Sequence, residues 1–244
     1  MLEFLKQEKS ISVSAFASRM NVSEVTIRKD LSFLESQNLL YRAYGCAILI
    51  NPTINDRHIN EKESLNAAQK ERIAEMAASL IEPNDTIIIA SGTTVSYLAR
   101  RIIPRKHLTV ITASTPVAEI LSKHNDIDVI LLGGMLRHSS LSVVGHYAEA
   151  MMRDFSASKL FIGADGIDKD FGVSTTNMAE AALNVQMMRS ASKTVLLCNS
   201  SKFGLRGLSR ICGAKDIDLV ITDTGADSQY VDNLIGLGLN VSLA

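Results

Sequence analysis

Small and hydroxyl-bearing residues cluster directly after an apolar run in the segment "TIIIASGTT", residues 86–94. The run has the composition of a buried strand, and the residues from Thr93 onward have the spacing of an amphipathic helix. A glycine permits close approach of the backbone, and the first N–H groups of a helix attract an anion. An ordinary capped helix is the structural alternative. The segment predicts an anion site, typically for phosphate, at Ser91, Gly92, Thr93 and Thr94.

Four further polar segments follow apolar runs, at residues 131–137, 161–168, 173–180 and 199–204. Arginine and lysine side chains in them can pair with a phosphate, and carboxylates can bind sugar hydroxyls or act as general bases. Each segment alone is more typical of a surface turn, but five of them at one sheet edge favour a ligand crevice. The candidate residues are Gly133, Gly134, Arg137, Asp165, Gly166, Asp168, Thr175, Thr176, Asn177, Glu180, Ser201 and Lys202.

Six short apolar runs place these segments: "TIIIA", "LTVIT", "IDVILLG", "KLFIGA", "TVLLCN" and "DLVIT". They do not alternate polar with apolar residues, so both faces of each strand are expected to be buried, as in a parallel sheet. Helical stretches separate most of them. The pattern over residues 66–244 predicts an α/β domain with a mostly parallel sheet, and polar residues 51–65 are interpreted as a linker.

Composition excludes several classes of protein. The chain has 244 residues, 46% of them hydrophobic and 21% charged, with a formal net charge of −1, so any nucleic-acid contact must come from a local patch. Its cysteines are scattered and its histidines form no HxH or HxxxH pair, so no disulfide framework, metal site or cofactor is expected. We find no membrane-spanning apolar run and no secretory signal, and we expect a cytoplasmic protein.

Residues 1–50 have a different pattern, with three helical stretches, a turn and a small hairpin in the order of a winged helix-turn-helix. In the third helix Ser23 is a candidate N-cap, and Ile27, Leu31 and Leu34 share one face. Six Lys/Arg against five Asp/Glu leave a net charge of +1, which by itself favours a protein-interaction domain; spacing favours DNA. The candidate DNA contacts are Ser23, Glu24, Thr26, Arg28, Lys29, Arg42 and Tyr44.

The segment "SVSAFASRMNVSEVTIRKDLSFLESQNLLYRAYGCAIL" closely resembles the signature of the DeoR family of bacterial transcriptional regulators, and the resemblance continues over nearly the whole chain. It implies operator binding through residues 23–28 and a second domain like ribose-5-phosphate isomerase. Cys46 and Asn38 stand where the family has glycines. Ala90, Ala113 and Asn199 stand where it has polar or acidic residues, which bears on the choice of effector.

Three functions were weighed from these residues. The leading one is a repressor of sugar-metabolism genes that a phosphorylated sugar releases from a double-stranded DNA operator. It requires a homo-oligomer, a dimer or tetramer, because one short helix makes too few base contacts. A sugar-phosphate isomerase or deaminase is the alternative and would rely on Asp165, Asp168 or Lys202. A DNA-binding protein whose second domain is only structural is the third. We predict a regulator and not an enzyme.

Overall fold

The structure is a computed structural model, and it describes residues 1–8, 10–36, 39–43, 45–49, 58–103 and 107–244. The chain divides into two compact units, Met1–Asn55 and Asp56–Ala244. Tyr44, Asn38 and most of the first half of the predicted linker lie outside the described residues. The domain limits drawn at residues 50 and 65 stay predictions.

The N-terminal unit is a winged helix-turn-helix, as predicted. Its three strands form an antiparallel sheet in the order β1-β3-β2. The left-handed conformation of Asn21, with φ 52°, ends the second helix and makes the turn before the third. Its elements are α1 (Leu2–Glu8), β1 (Ser10–Ser12), α2 (Val13–Met20), α3 (Glu24–Ser36), β2 (Leu40–Ala43) and β3 (Cys46–Leu49).

The core of this unit is small and apolar. Ile27 and Leu31 of α3 are fully buried, as the helical spacing predicted, and they pack with Phe16 of α2 and Leu5 of α1. The opposite face of α3 is exposed from its first turn. The packing therefore holds α3 by one face and leaves the other available to a partner.

The C-terminal unit is an α/β domain. Its elements are α4 (Ile59–Ser64), α5 (Ala67–Ala78), β4 (Thr86–Ile89), α6 (Thr93–Arg101), β5 (Leu108–Thr112), α7 (Thr115–Leu121), β6 (Ile127–Leu131), β7 (Met135–Arg137), β8 (Ser142–Val144), α8 (His146–Met152), β9 (Lys159–Ile162), β10 (Gly166–Asp168), β11 (Gly172–Thr175), α9 (Met178–Arg189), β12 (Thr194–Leu197), β13 (Ser209–Cys212), β14 (Leu219–Thr222), α10 (Ser228–Gly236) and β15 (Asn240–Leu243).

Seven strands form one parallel sheet in the order β15-β14-β12-β9-β4-β5-β6. All six apolar runs are strands of this sheet, so the α/β prediction is confirmed. The seventh strand, β15, was missed because none of its four residues, NVSL, is buried, so it lacks the apolar run that marks the other six. Two small antiparallel sheets, β7-β8 and β10-β11-β13, were also missed.

Side chains of the central strands alternate between two buried layers. Ile88 of β4 and Leu160 of β9 belong to one layer, while Ile87 and Phe161 belong to the other, and all four are fully buried. Burial on both faces explains why these strands carry hydrophobic residues at successive positions. It also holds the strand ends in place, and with them the loops that follow. Within the described residues, no helix is both long and apolar enough to cross a membrane.

Candidate ligand pocket and DNA-reading surface

Three of the predicted site loops follow strands that are direct neighbours. Strand β9 lies between β4 and β12 and is parallel to both, so the loops after Ile89, Ile162 and Leu197 leave the same sheet edge. A Cβ placed on Gly163 would lie 3.8 Å from the carbonyl oxygen of Ser91 and 4.0 Å from that of Leu197. The fold therefore brings these three loops together, at the edge where open α/β sheets bind ligands.

The first of these loops leads into α6. Gly92 has φ 133°, a conformation that other residues rarely adopt, and a Cβ placed on it would meet open space. Thr93 and Thr94 begin the helix and are mostly buried. Among the described residues no side chain caps this helix. The first N–H groups of a helix have no partner within it, so this end suits an anion.

Asp165 stands at the centre of a hydrogen-bond cluster beside this loop. Its carboxylate accepts from the Lys62 ammonium at 2.9 Å, from the Thr175 hydroxyl at 3.1 Å, and from both the N–H and the hydroxyl of Thr176 at 3.1 Å. Burial by itself would raise the pKa of this carboxyl, but the charges of Lys62 and Lys202 and these hydrogen bonds hold the pKa well below its usual range. Asp165 is therefore ionised at neutral pH.

Lys70 is a buried cation that the sequence analysis did not select. It is 4% exposed, and its ammonium donates to the carbonyl oxygens of Lys62 and Glu63. Burial, together with the charges of Lys202 and Lys62, lowers the pKa of Lys70 to about 8, while Glu63 acts in the opposite direction. Three lysines, Lys62, Lys70 and Lys202, thus act electrostatically on one another or on Asp165.

One sequence signal could have found Lys70. It stands three, four and seven residues before Ile73, Ala74 and Ala77, which form the buried stripe of α5. A lysine at an apolar-stripe position indicates a buried charge with a specific environment. No such signal marks Lys62, which stands in the predicted linker and belongs instead to α4.

The loop after β12 is held from two sides. Asn199, 3% exposed, accepts from the N–H and the hydroxyl of Ser201 at 3.1 and 2.5 Å. Asp223, at the end of neighbouring β14, accepts from the N–H and hydroxyl of Ser200 at 2.8 and 2.9 Å. Asp223 is 2% exposed and was also missed. It supplies a carboxylate to the loop where Asn199 replaces the family's usual acid.

Other predicted residues have structural partners. Arg137 pairs with Glu180 at 2.9 Å, and this pair reaches the pocket because Glu180 also accepts from Thr175 at 3.4 Å. Asn177 caps α9 by accepting from two backbone N–H groups at 3.0 and 3.1 Å. Asp168 holds its own hairpin and pairs with Arg206 at 2.8 Å. Ligand contacts by these residues stay predictions.

The predicted glycines differ in what surrounds them. A Cβ on Gly166 would lie 2.2 Å from the carbonyl oxygen of Leu205, and one on Gly134 would lie 2.9 Å from atoms of Val143 and Val144. These two positions require glycine for close packing. Gly133 has open space around it. Ala90 and Ala113, which replace polar residues of the family pattern, are buried in the apolar core.

No group of three or more His, Cys, Asp and Glu residues that could hold a metal ion occurs in the part of the chain that the structure describes.

The N-terminal unit presents the first turn of α3 at its surface. The Ser23 hydroxyl accepts from the N–H of Thr26 at 3.2 Å, so Ser23 caps α3 as predicted. Arg28 is 58% exposed at its side chain and pairs with Glu24 at 2.7 Å. Lys29 is exposed. Val25, 62% exposed on the same turn, was not selected from the sequence.

Of the two predicted wing residues, Arg42 lies among the described residues and Tyr44 does not. Arg42 lies in β2, and both its N–H and its guanidinium donate to Glu35 of α3, at 2.9 and 2.8 Å. The pair with Glu35 joins the hairpin to the third helix.

A winged helix-turn-helix unit and a separate α/β unit, with polar loops and lysines gathered at one sheet edge, are typical of DNA-binding transcriptional regulators that carry a sensor domain. The chain belongs to the DeoR family of this class. The model of the DeoR-like helix-turn-helix domain matches residues 1–53, and that of the DeoR C terminal sensor domain matches residues 65–224.

Two relatives illustrate the membership. The chain is 36% identical over 234 residues to the HTH-type transcriptional regulator YulB of Bacillus subtilis, covering 96% of this chain and 90% of that protein. It is 32% identical over 236 residues to the lactose phosphotransferase system repressor of Lactococcus lactis, covering 95% and 92%. These relatives are regulators, and the chain is a regulator and not an enzyme.

A solved ribose 5-phosphate isomerase from Plasmodium falciparum aligns over 55% of this chain and 52% of its own, at 19% identity. The TM-score of this alignment is 0.39.

Proposed function

We propose that this protein represses genes of sugar metabolism, and that a phosphorylated sugar bound in the α/β pocket releases it from its operator. The observation that carries the proposal is that Lys62 and Lys202 act electrostatically on both Asp165 and Lys70, while Asp165 and Lys202 lie in the loops that follow the adjacent strands β9 and β12. The name of one relative, the lactose phosphotransferase system repressor, supports the same kind of regulation.

The charges of the pocket favour a dianion. Three ammonium groups act there against Asp165 and Glu63, and Glu63 is also paired with Arg100. Keeping Lys70 protonated inside the domain costs free energy, and a bound phosphate would offset that cost. The uncapped N-terminus of α6 adds N–H donors for the same group.

The hydroxyl groups of the bound sugar would form hydrogen bonds with a second set of side chains. Asp165 and the Thr175 and Thr176 hydroxyls that surround it offer acceptors and donors within one cluster. Ser201 and the open space at Gly92 extend this polar lining toward the other two loops. We propose that the remaining predicted pocket residues act through these groups, with Arg137 and Glu180 positioning Thr175.

On the DNA side, we propose that the first turn of α3 enters the major groove. Arg28 and Lys29 would contact base edges or phosphates, and Ser23 and Thr26 would bind phosphate oxygens. Arg42 would contact the backbone. One such helix gives too few contacts for specific binding at physiological salt, so the operator-bound form is a dimer or a tetramer.

Gel-shift binding to the DNA upstream of the protein's own gene, titrated with a panel of hexose and pentose phosphates, tests the proposal. We expect binding at low salt and release by at least one member of the panel. Lys202→Met should bind the operator normally and fail to respond. Operator binding that no sugar phosphate alters would refute the sensor part, and no binding at any salt concentration would refute the repressor.

A further inference from the structure

Residues 58–66, hereafter the strap, are fastened to several walls of the pocket by polar contacts. At one end the N–H of Ile59 donates to the carbonyl oxygen of Ser139 at 2.7 Å. In the middle the ammonium of Lys62 pairs with Asp165. At the other end the Asn66 amide donates to the Ser201 hydroxyl at 3.4 Å. The strap therefore touches the loops after β7, β9 and β12.

Two further side chains, one from α5 and one from α6, also hold the strap. Lys70 of α5 donates to the carbonyl oxygens of Lys62 and Glu63, and Arg100 of α6 pairs with the Glu63 carboxylate. All of these contacts are hydrogen bonds or ion pairs, and Ile59 is the buried apolar residue of the strap. An anionic ligand can compete for the cationic donors among them. In sequence, the strap directly follows the residues that join the two compact units.

Lys62 can leave Asp165 without leaving that carboxylate unsatisfied. Asp165 would keep the Thr175 hydroxyl and both donors of Thr176. The side chains of Lys62 and Asp165 are 26% and 20% exposed, so an anion can reach the pair from solvent. A phosphate dianion carries more charge than a carboxylate and attracts the same ammonium more strongly.

We propose that Lys62 exchanges partners, from Asp165 in the free protein to the anionic group of the ligand in the bound protein, and that this exchange moves the strap and so transmits binding to the segment that leads to the DNA-binding unit. This inference rests on the proposed function. It assigns to Lys62 both a ligand contact and the coupling between the sites. Coupling requires the ligand to favour the strap position that is incompatible with operator binding.

The test uses the full-length protein and the sugar phosphate that binds most tightly in the panel above. Lys62→Met removes the exchanging charge, and Asp165→Asn removes the partner that holds it. Lys123→Met is the matched control, because Lys123 is 69% exposed and pairs at 3.9 Å with Glu119, which lies four residues earlier in α7. For each variant, probe affinity and operator affinity are measured, the latter without probe and at saturating probe.

In the wild type we expect saturating probe to weaken operator binding by about 5- to 150-fold. Lys62→Met should bind the probe more weakly, and at saturation its operator affinity should change less than about twofold. Asp165→Asn should already show weakened operator binding without probe. Lys123→Met should behave as the wild type.

If Lys62 only bound the ligand, its loss would lower probe affinity. The ratio of operator affinities without probe and at saturating probe would then stay at the wild-type value. If saturating probe weakens operator binding by Lys62→Met as much as it does in the wild type, the proposed exchange of partners is wrong. The proposed function would stay intact. A wild type that binds no probe, or whose operator affinity does not change with the probe, would refute the sensor part of the proposed function, and that result appears before any variant is made.

Discussion

Binding of a sugar phosphate is expected to weaken as pH rises above about 8, because Lys70 then loses its proton in the free protein. The charged groups that face Lys70 are Lys202, Lys62 and Glu63, and burial is the largest cause of its lowered pKa. A bound dianion favours the protonated lysine and raises its pKa. Affinity from this group is thus fully present below about pH 8 and is lost as pH rises toward the pKa of the bound form.

The size of the effect follows from the pKa of Lys70. Its ordinary value is 10.5 and its value in the fold is about 8, a difference that corresponds to about 3 kcal/mol, or about 300-fold. If the dianion restores the ordinary pKa completely, affinity falls about tenfold per pH unit above 8 and is about 30-fold lower at pH 9.5 than at pH 7. If the dianion raises the pKa of Lys70 by less, the affinity falls by less.

Isothermal titration calorimetry at constant ionic strength measures the affinity for the sugar phosphate between about pH 7 and pH 9.5. A phosphate ester has a second pKa of about 6, so the ligand stays a dianion over this range. The wild type is compared with Lys70→Met and with the exposed-lysine control Lys123→Met. We expect Lys70→Met to bind weakly with little pH dependence. A wild-type affinity that is constant over this range, or that falls equally in Lys70→Met, would refute the role given to this lysine.

Three further changes separate recognition from stability. Arg28→Ala should abolish operator binding in a gel shift yet leave the melting temperature nearly unchanged, since its exposed intrahelical ion pair is worth about 0.3–0.5 kcal/mol; a matching loss of stability would contradict this. Gly172 has φ +88°, and Gly172→Ala would place a Cβ 2.1 Å from a backbone carbonyl oxygen. This variant should lose about 2–4 kcal/mol of the free energy of unfolding measured in urea. The control Gly236→Ala meets open space and should lose none. Asn177→Ala should cost about 1 kcal/mol, and Asn177→Asp, which keeps an acceptor, much less; equal losses would show that the cap is unimportant.

Local patterns were sufficient for most of the elements. The six apolar runs became parallel strands because a strand buried on both faces has no position for a polar residue. Ser23 capped α3 because its hydroxyl reaches an N–H three residues later, a contact that sequence spacing alone determines. The edge strand β15 carried too weak a pattern, since none of its four residues is buried.

Residues 91–94 also lie where their types suggested, at a strand end and the start of a helix, because both elements are encoded by the same short segment. The family resemblance placed the chain among transcriptional regulators before any geometry was known, and the two family models agree with it. Sequence thus determined the class of protein, six of the seven strands of its sheet and the position of one loop with the composition of an anion site.

Only the tertiary structure decided which groups surround that loop. The order β12-β9-β4 makes three distant loops neighbours, and no local pattern encodes strand order. Lys62 stood in a predicted linker and Lys70 in an ordinary helix, yet the fold joins Lys62 to Asp165 across 103 residues of sequence. Such contacts depend on how whole elements pack, so the charges gathered near the proposed ligand site are a property of the fold.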